Sequence, residues 1–425
     1  SIYVGNDPSS TTNAAQYNTA LGVTALTAIT SGIDNSALGY DALGTLTTGN
    51  SNTALGSNTL RYTTSGENNV AVGYAGLKAN TTGDDNVAVG RDALTANTTG
   101  RNNIAVGTDA LTKNTTGVDN VAIGDSAMAD NTTGSNNTAI GNWALDTNTT
   151  GWNNVAVGLD ALSNNTTASY NTTVGFQSMS TNSTGDKNTA MGYQSFALNT
   201  TGANNTAVGY WALVNNTTAS NNTAVGYGAL AANTTATENT AVGSSSLLYN
   251  TTGEYNTAVG SAAIASNTTG SYNTALGRYA LAANTTAANN TAVGHYTLAT
   301  NTTGSENAGY GGGALAANTT GAYNTGIGYS SLNSNTTGGM NTAIGKGALS
   351  TSTTAANNTA VGYASLEENT TGSSNTAAGW ASLMANTTGD RNIAIGLAAY
   401  DAADTENDNL AIGVSALGGA IAGGE

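Results

Sequence analysis

The sequence predicts an all-β protein, a parallel β-solenoid of the β-roll type with 25 coils, each matching one sequence period of 17. Three observations support this prediction. Glycine recurs with a period of 17 from Gly5 to Gly413, each repeat contains runs that disfavour helix, and 25 repeats of 17 fill all 425 positions. A fixed period of this kind is typical of repeat architectures, so we expect residues 1–425 to form one array rather than two or three domains.

Each repeat is numbered here from its periodic glycine, which is position 0. Position −4 is asparagine from Asn18 to Asn409, position −2 is alanine in 21 of 25 units, and position +4 is leucine in 19. Positions +7 to +10 mostly read Asn-Thr-Thr-Gly, and these residue types disfavour helix interiors. Because a period of 17 is also too short for a helix-turn-helix repeat, we expect two short strands per coil, at −4 to 0 and at +4 to +9.

Stacked coils place equivalent side chains in ladders about 4.8 Å apart. The asparagines at −4 are expected to hydrogen-bond from coil to coil, as stacked amides do in cross-β structures. Successive side chains of a strand point to opposite faces. We therefore expect the aliphatic residue at −1, such as Val72 or Ile123, to point into the coil with the leucine at +4, and the alanine at −2 to face outward.

An outward strip of alanine predicts a packed surface, because a long apolar strip is normally buried. Each coil has few core side chains, which at roughly 1.5–3 kcal/mol each barely offset the backbone entropy of the coil. We therefore expect a homo-oligomer, and the alternative is a monomeric solenoid in which alanine only spaces the coils. The candidate oligomer face consists of Ala71, Ala88, Ala105, Ala122, Ala139 and Ala156.

The ends of the array differ from its middle. Residues 67–396 form the regular coils, whereas residues 1–66 and 397–425 lack the Asn-Thr-Thr signature. Terminal repeats of a solenoid are usually atypical because they cap the array or join another part. The residues found at +7 in these atypical coils include Ile29, Leu46, Thr63, Ala403 and Ala420.

Composition argues against several classes of function. The chain has no cysteine and one histidine, so it lacks the residues for disulfides, cysteine metal sites and histidine triads. Its 25 acidic and 9 basic residues give a net charge of −16, which argues against a nucleic-acid partner. No apolar run approaches the roughly 20 residues of a membrane span. We expect no enzyme activity, no cofactor, no metal site and no membrane insertion; the carboxylates between Asp84 and Asp130 indicate a solvated face rather than a calcium site.

Aromatic side chains recur at positions +1, +2 and +12. Exposed tyrosine and tryptophan suit contacts with carbohydrate or protein, whereas the alternative is packing at corners between coils or chains. We favour packing for position +1, which includes Tyr193 and Tyr363, and leave both interpretations open for +12. The candidate surface contacts are the tyrosines at +12, which are Tyr17, Tyr170, Tyr255, Tyr272 and Tyr323.

The Asn-Thr-Thr run is also an N-x-[ST] glycosylation acceptor, and it occurs in 17 units from Asn80 to Asn386. We favour a role in the turn, because asparagine and threonine suit a solenoid turn with ladder bonding. Threonine ladders on solenoids can also bind ice. Here the pair on one face would be Asn at +7 and Thr at +9, which is a weak ice-binding surface.

The run from Asn68 to Gly73, Asn-Asn-Val-Ala-Val-Gly, resembles the Asn-Ser-Val-Ala-Ile-Gly signature of YadA-like trimeric autotransporter adhesin heads. The longer unit is similar to the tandem arrays of phage tail fibres, and the resemblance covers nearly the whole chain. It implies a left-handed parallel β-roll assembled as a homotrimer. Repeats of adhesin heads are usually shorter than the period of this chain, which is a departure from that family.

We therefore expect a structural fibre protein, from a phage tail fibre or an adhesin-like surface fibre, located outside the cell on a virion or a cell surface. It would present many weak contacts to a cell-surface glycan or protein receptor, and multivalency would supply the avidity. Two alternatives remain open. One is a self-assembling extracellular filament or sheath subunit joined through open solenoid ends, and the other is an ice- or glycan-binding solenoid.

Overall fold

A computed structural model of the chain describes residues 2–5, 14–402 and 405–419. It divides into two compact units, Ser1–Tyr210 and Trp211–Glu425. Each unit by itself is a parallel β-solenoid in which one coil corresponds to one repeat of the sequence, and the described residues contain no helix. The predicted fold class is confirmed. Of the predicted terminal coils, Ala403 and Ala420 lie outside the described residues.

Each coil contributes one short strand that ends at or just before the periodic glycine. The strands of the first unit are β1 (Ile2–Gly5), β2 (Thr19–Gly22), β3 (Ser36–Leu38), β4 (Thr53–Leu55), β5 (Val70–Val72), β6 (Val87–Val89), β7 (Ile104–Val106), β8 (Val121–Ile123), β9 (Thr138–Ile140), β10 (Val155–Val157), β11 (Thr172–Val174), β12 (Thr189–Met191) and β13 (Thr206–Val208). Those of the second unit are β14 (Thr223–Val225), β15 (Thr240–Val242), β16 (Thr257–Val259), β17 (Thr274–Leu276), β18 (Thr291–Val293), β19 (Ala308–Tyr310), β20 (Thr325–Ile327), β21 (Thr342–Ile344), β22 (Thr359–Val361), β23 (Thr376–Ala378), β24 (Ile393–Ile395) and β25 (Leu410–Ile412).

Successive strands pair in parallel, each residue opposite its counterpart one coil later. In the first unit Ala71 of β5 lies opposite Ala88 of β6, and in the second Ala241 of β15 lies opposite Ala258 of β16. The same register joins each neighbour from β1 to β13 and from β14 to β25. Identical side chains are therefore stacked on one another along each unit.

The second strand predicted at +4 to +9 is wrong, because the described residues form turns there. The leucine at +4 adopts a positive φ, for example 52° at Leu94 and 53° at Leu111, and a β-strand has a negative φ. Neighbouring coils still bond along this segment. The Thr98 N–H donates to the Thr115 carbonyl at 2.9 Å, so the turn is held by hydrogen bonds without forming a strand.

The strand faces are the reverse of the prediction. Side chains at −1 point outward, as at Ile123, while the alanine at −2 points into the coil beside the leucine at +4. At Gly326, which occupies −2, an added Cβ would lie 3.3 Å from the Leu315 Cγ, so the interior has room for little more than a methyl group. The predicted oligomer face is therefore wrong, because its alanines are already buried within one chain. They are Ala71, Ala88, Ala105, Ala122, Ala139 and Ala156.

A ladder of buried asparagines at −4 links the coils, as predicted. The Asn103 amide donates to Asn86 Oδ1 at 3.1 Å and to the Gly117 carbonyl at 2.9 Å. Its Oδ1 in turn accepts the backbone N–H of Asn120 at 3.1 Å. An asparagine at −4 can thus satisfy a buried carbonyl of its own coil and a buried N–H of the next, which explains why no other residue type occupies this position in the described coils; Asn171 differs in that its amide nitrogen has no partner.

A second buried ladder runs through the asparagines at +7. The Asn97 amide donates to Asn80 Oδ1 and to the Gly100 carbonyl, both at 3.0 Å. Because Asn80 and Asn97 have no exposed surface, these sequons are inaccessible to a glycosyltransferase in the folded chain. The asparagine at +7 points inward and the threonine at +9 is exposed, so the pair considered for ice binding does not share an outer face.

Ser352 interrupts the +7 ladder, and repairing it is expected to stabilise the second unit. Neither Ser352 Oγ nor Asn335 Oδ1 has a hydrogen-bond partner, and both are buried. In Ser352→Asn the new amide can donate to Asn335 Oδ1, which should raise the free energy of unfolding by about 1 kcal/mol. Urea denaturation followed by circular dichroism measures the change. The control Ser261→Asn places the same side chain at an exposed position, and equal stability of the two variants would contradict the prediction.

Candidate functional site

The first candidate surface is formed by the side chains at −3 and −1 of the strands and is called the outer strand face. In each strand from β3 to β25 the middle residue is buried and its two neighbours are at least partly exposed. Ile104 and Ile140 in the first unit and Ile327 and Ile344 in the second all lie about two-fifths exposed. Their exposure leaves aliphatic side chains of successive coils on one face of a parallel sheet.

The outer strand face carries no charged residue in any coil, although the chain has a net charge of −16. Threonine, valine and isoleucine dominate position −3, and valine, isoleucine and leucine dominate −1. In the first unit a shallow cavity of about 270 Å³ opens on this face beside Leu21, Leu38 and Leu55. An apolar surface of this extent is typical of an interaction site, because monomeric proteins rarely expose one.

The tyrosines predicted as contacts at +12 are exposed, and their role in binding stays a prediction. Tyr255 and Tyr272 stack with ring centroids 5.1 Å apart and nearly parallel planes, so they present ring edges rather than faces to solvent. Tyr170 packs edge-on against Trp152, with centroids 4.6 Å apart. The exposed set is Tyr17, Tyr170, Tyr255, Tyr272 and Tyr323.

At +1 the aromatic rings pack on one another from coil to coil. Phe176 stacks on Tyr193 at 5.2 Å and Tyr193 on Tyr210 at 5.0 Å between centroids, both pairs within the first unit. Tyr363 and Trp380 stack in the second unit at 6.1 Å. These contacts agree with the packing interpretation of position +1, and the rings remain partly exposed.

The second candidate is a cavity of about 360 Å³ in the first unit, called the acidic cavity. It lies between the side chains at +2 of successive coils on one side and those at +5 and +6 on the other. Trp143 is one of the aromatic residues at +2, and the cavity brings it together with Asp146 and Asp160. The period alone indicates that Trp143 and Asp160 are neighbours, since both occupy +2. The lining residues are Trp143, Asp160, Gln177, Asp146, Ser163, Ser180, Thr147 and Asn164.

The two carboxylates of the acidic cavity have no cationic partner among the described residues. Burial, followed by repulsion from Asp130, raises the pKa of Asp146 to about 6. Lys113 pairs instead with Asp130, at 2.7 Å. Asp160 Oδ2 lies 3.5 Å from Gln177 Nε2, at the limit of a hydrogen bond. The cavity therefore holds a partly desolvated negative charge beside an exposed indole.

Removing this charge is expected to stabilise the first unit above pH 6. The raised pKa means that the ionised Asp146 opposes folding; this cost is complete above pH 6 and disappears as the pH falls towards 4. The rise in the pKa of Asp146 to about 6 would by itself correspond to about 3 kcal/mol of unfolding free energy. Because the side chain is partly exposed, we expect a smaller gain for Asp146→Asn, about 1 kcal/mol at pH 7.5.

Urea unfolding at pH 7.5 and at pH 4 measures this gain. The control Asp125→Asn removes an exposed carboxylate that does not line the cavity. A gain for Asp146→Asn that is the same at both pH values, or that the control reproduces, would contradict the prediction.

No family model matches the chain, and neither a curated protein nor a solved structure matches it. Among the described residues no cluster of three or more histidine, cysteine, aspartate or glutamate side chains could hold a metal ion. That part of the chain also contains no helix of the length and apolar character that a bilayer crossing requires.

Proposed function

We propose that the chain is the subunit of a homotrimeric structural fibre that assembles through the outer strand face. The observation that carries the proposal is the uncharged, partly exposed aliphatic surface that recurs in the strands of both units. At roughly 25 cal/mol per Å² of apolar surface removed from water, covering such a face contributes substantially to stability. Each coil has a small interior, so this contribution matters more than it would in a globular domain.

A second copy of the same chain is the partner that fits this surface best. Side chains on the outer strand face recur at the spacing of parallel strands, about 4.8 Å, and an identical chain offers the same spacing in register. Closed cyclic symmetry would turn the faces of all subunits towards one axis and leave none exposed. The resemblance of residues 68–73 to trimeric adhesin heads favours three subunits.

In the proposed fibre the strand faces are internal and the turn positions face the environment. Stacked tyrosines such as Tyr255 and Tyr272 would then form repeated weak contacts with a cell-surface glycan or protein receptor, strengthened by multivalency. A fibre of this kind would act outside the cell, on a virion or a cell surface. Its role would be mechanical and adhesive.

Three lysine substitutions on the outer strand face test the proposal. Ile327→Lys, Ile344→Lys and Val361→Lys together place charges at −1 of three consecutive coils, where the side chains are already partly exposed in one chain. We expect this variant to sediment as a monomer while keeping the circular dichroism of the parent. Buried lysines without partners cannot be accommodated in a trimer interface.

The matched control carries Thr337→Lys, Thr354→Lys and Thr371→Lys in the same coils, at the exposed position +9. This control is expected to sediment like the parent trimer. If the triple-lysine variant of the outer strand face is folded and still sediments with the mass of the parent assembly, that face is not the interface.

An ice-binding solenoid is a second candidate, favoured by one observation. In the second unit threonine occupies −3 of five consecutive strands from Thr223 to Thr291, beside valine or leucine at −1. The result is a regular outward array of hydroxyl and methyl groups, unlike the pair at +7 and +9. Inhibition of ice recrystallisation by a monomeric chain would support this function over the fibre.

A further inference from the structure

We propose that the acidic cavity binds an organic ammonium cation, with the Trp143 indole against its alkyl groups and the carboxylates of Asp146 and Asp160 neutralising its charge. The cavity lies between positions +2 and +6 of the coil, whereas the outer strand face lies at −3 and −1. The inference therefore does not depend on the proposed fibre, and either can fail without the other.

An ion pair elsewhere in the first unit shows that this part of the coil accommodates a cationic group. Arg61, at +5, extends its guanidinium to the Asp41 carboxylate at +2, with 2.9 Å between Nη2 and Oδ2. The same guanidinium carbon lies 5.3 Å from the centroid of the Tyr62 ring. A cation carried by +5, paired with a carboxylate at +2 of the preceding coil and lying beside an aromatic ring at +6, is thus already part of this fold.

The acidic cavity has the same kinds of groups without the cation. Asp160 supplies the carboxylate at +2, and the residue that corresponds to Arg61 relative to it, at +5 of the next coil, is Ser180, which carries no charge. Asp146 at +5 adds a second carboxylate, and Trp143 at +2 adds the aromatic ring. The space is about 360 Å³, within the range of small-molecule sites. An external cation would fill the position that the Arg61 guanidinium fills in its own coils.

Charge favours a cation over a neutral ligand at this site. Lys113 attracts Asp146 and offsets part of its cost of ionisation, but its ion pair is with Asp130. Asp146 is half-buried, and repulsion from Asp130 and Asp160 adds to the cost of its ionisation. A bound cation reverses that cost, because an opposite charge within about 4–6 Å favours the ionised carboxylate.

Trp143 is placed to cover one side of a bound cation. Its indole is about half exposed, and its backbone N–H donates to the Asp125 carbonyl at 3.0 Å, which fixes the main chain from which the ring projects. Tryptophan is the best aromatic partner for a cation, and quaternary ammonium groups are recognised in this way. Ser163, Thr147 and Asn164 supply hydroxyl and amide groups for polar substituents of the ligand.

Fluorescence of Trp143 tests the site in the full chain. Trp152, Trp211 and Trp380 are replaced by phenylalanine, so that Trp143 is the remaining indole. The chain is titrated with choline, with an N-acetylated lysine amide, with 3,3-dimethylbutan-1-ol and with methyl glucoside. The butanol has the shape of choline without its charge, the lysine derivative carries a primary rather than a quaternary ammonium, and the glucoside represents a neutral sugar.

We expect an ammonium compound to quench Trp143 saturably, at least about tenfold more tightly than the uncharged isostere. The stronger of choline and the lysine derivative identifies the class of ammonium group. Asp146→Asn and Asp160→Asn should each weaken binding at least about fivefold, whereas Asp125→Asn should change it less than about twofold. Urea denaturation of Asp146→Asn, which is expected to be the more stable protein, separates loss of binding from unfolding.

Three results would overturn the proposal. They are equal quenching by choline and its isostere, saturable quenching by methyl glucoside alone, and no saturable quenching by either ammonium compound up to about 50 mM.

Discussion

Replacing Asn256 by aspartate is expected to cost about 3–5 kcal/mol and to open the coils around it. Asn256 is fully buried, and its amide donates to Asn239 Oδ1 at 3.2 Å and to the Gly270 carbonyl at 2.9 Å. Aspartate has the same shape but no N–H, so an oxygen would face two oxygen acceptors. At neutral pH the substitution also buries a charge, and the loss should therefore be smaller at pH 4.

Hydrogen–deuterium exchange of the peptide from residues 250 to 275 measures the local loss, and urea denaturation measures the global one. The control is Asn289→Asp, which makes the same chemical change at the exposed position +12 and should alter stability by less than about 0.5 kcal/mol. If Asn256→Asp exchanged no faster than this control, the asparagine ladder would not be what holds the coils together.

Replacing Gly243 by alanine is expected to be comparably damaging, at about 3–5 kcal/mol. This periodic glycine has φ of +131°, a region closed to residues with a side chain. An added Cβ would also lie 2.6 Å from the carbonyl oxygen of Gly260, its counterpart in the next coil. That oxygen belongs to the backbone and cannot rotate away, so the two coils would have to separate.

Gly228→Ala is the control, the same substitution at a positive φ that alanine tolerates and without a backbone clash. Gly228 has φ of +60° at position +2, and an added Cβ would meet only Leu248 Cδ1, at 3.4 Å. Alanine already occupies the equivalent position at Ala262 with φ of 55°. We expect Gly228→Ala to change the free energy of unfolding by less than about 1 kcal/mol. Thermal unfolding of both variants compares them, and similar losses would show that stacking of the glycines does not fix the period.

The regular spacing of the glycines was sufficient to predict the solenoid, the buried leucine at +4 and the asparagine ladder at −4. Each follows from one residue type repeated in register, since a ladder needs the same hydrogen-bonding group in every coil. The same reasoning favours a turn with ladder bonding for the Asn-Thr-Thr run, but it does not show that the asparagine at +7 is buried, because the run also has the composition of an exposed turn.

The direction of the strand side chains was predicted wrongly because size was used to decide which residue is inside. Val72 is larger than Ala71, yet it is the small alanine that lies in the interior beside the strand. The repeats did contain a signal. Position −2 is alanine in 21 of 25 units, whereas −1 varies between valine, isoleucine, leucine, methionine, alanine and tyrosine. Tolerance of different sizes marks the exposed position, and uniformity marks the confined one.

The acidic cavity could not be predicted from the sequence alone, because it depends on which turn positions face each other. Position +2 and positions +5 and +6 border one cavity only because the residues between them fold back with positive φ, as at Leu145 with 54° and Leu162 with 54°. The sequence pattern predicts a strand at +5 and +6, with +2 outside it. Asp146 at +5 therefore seems unrelated to Trp143 and Asp160 at +2.

The absolute mass of the unmodified chain in solution tests the central claim most directly. Light scattering during size-exclusion chromatography measures it without assumptions about shape. Association through the outer strand face predicts three times the chain mass of 41.9 kDa, independent of loading concentration over the range where a stable trimer persists. A single species at 41.9 kDa would contradict the account and show that the outer strand face stays exposed.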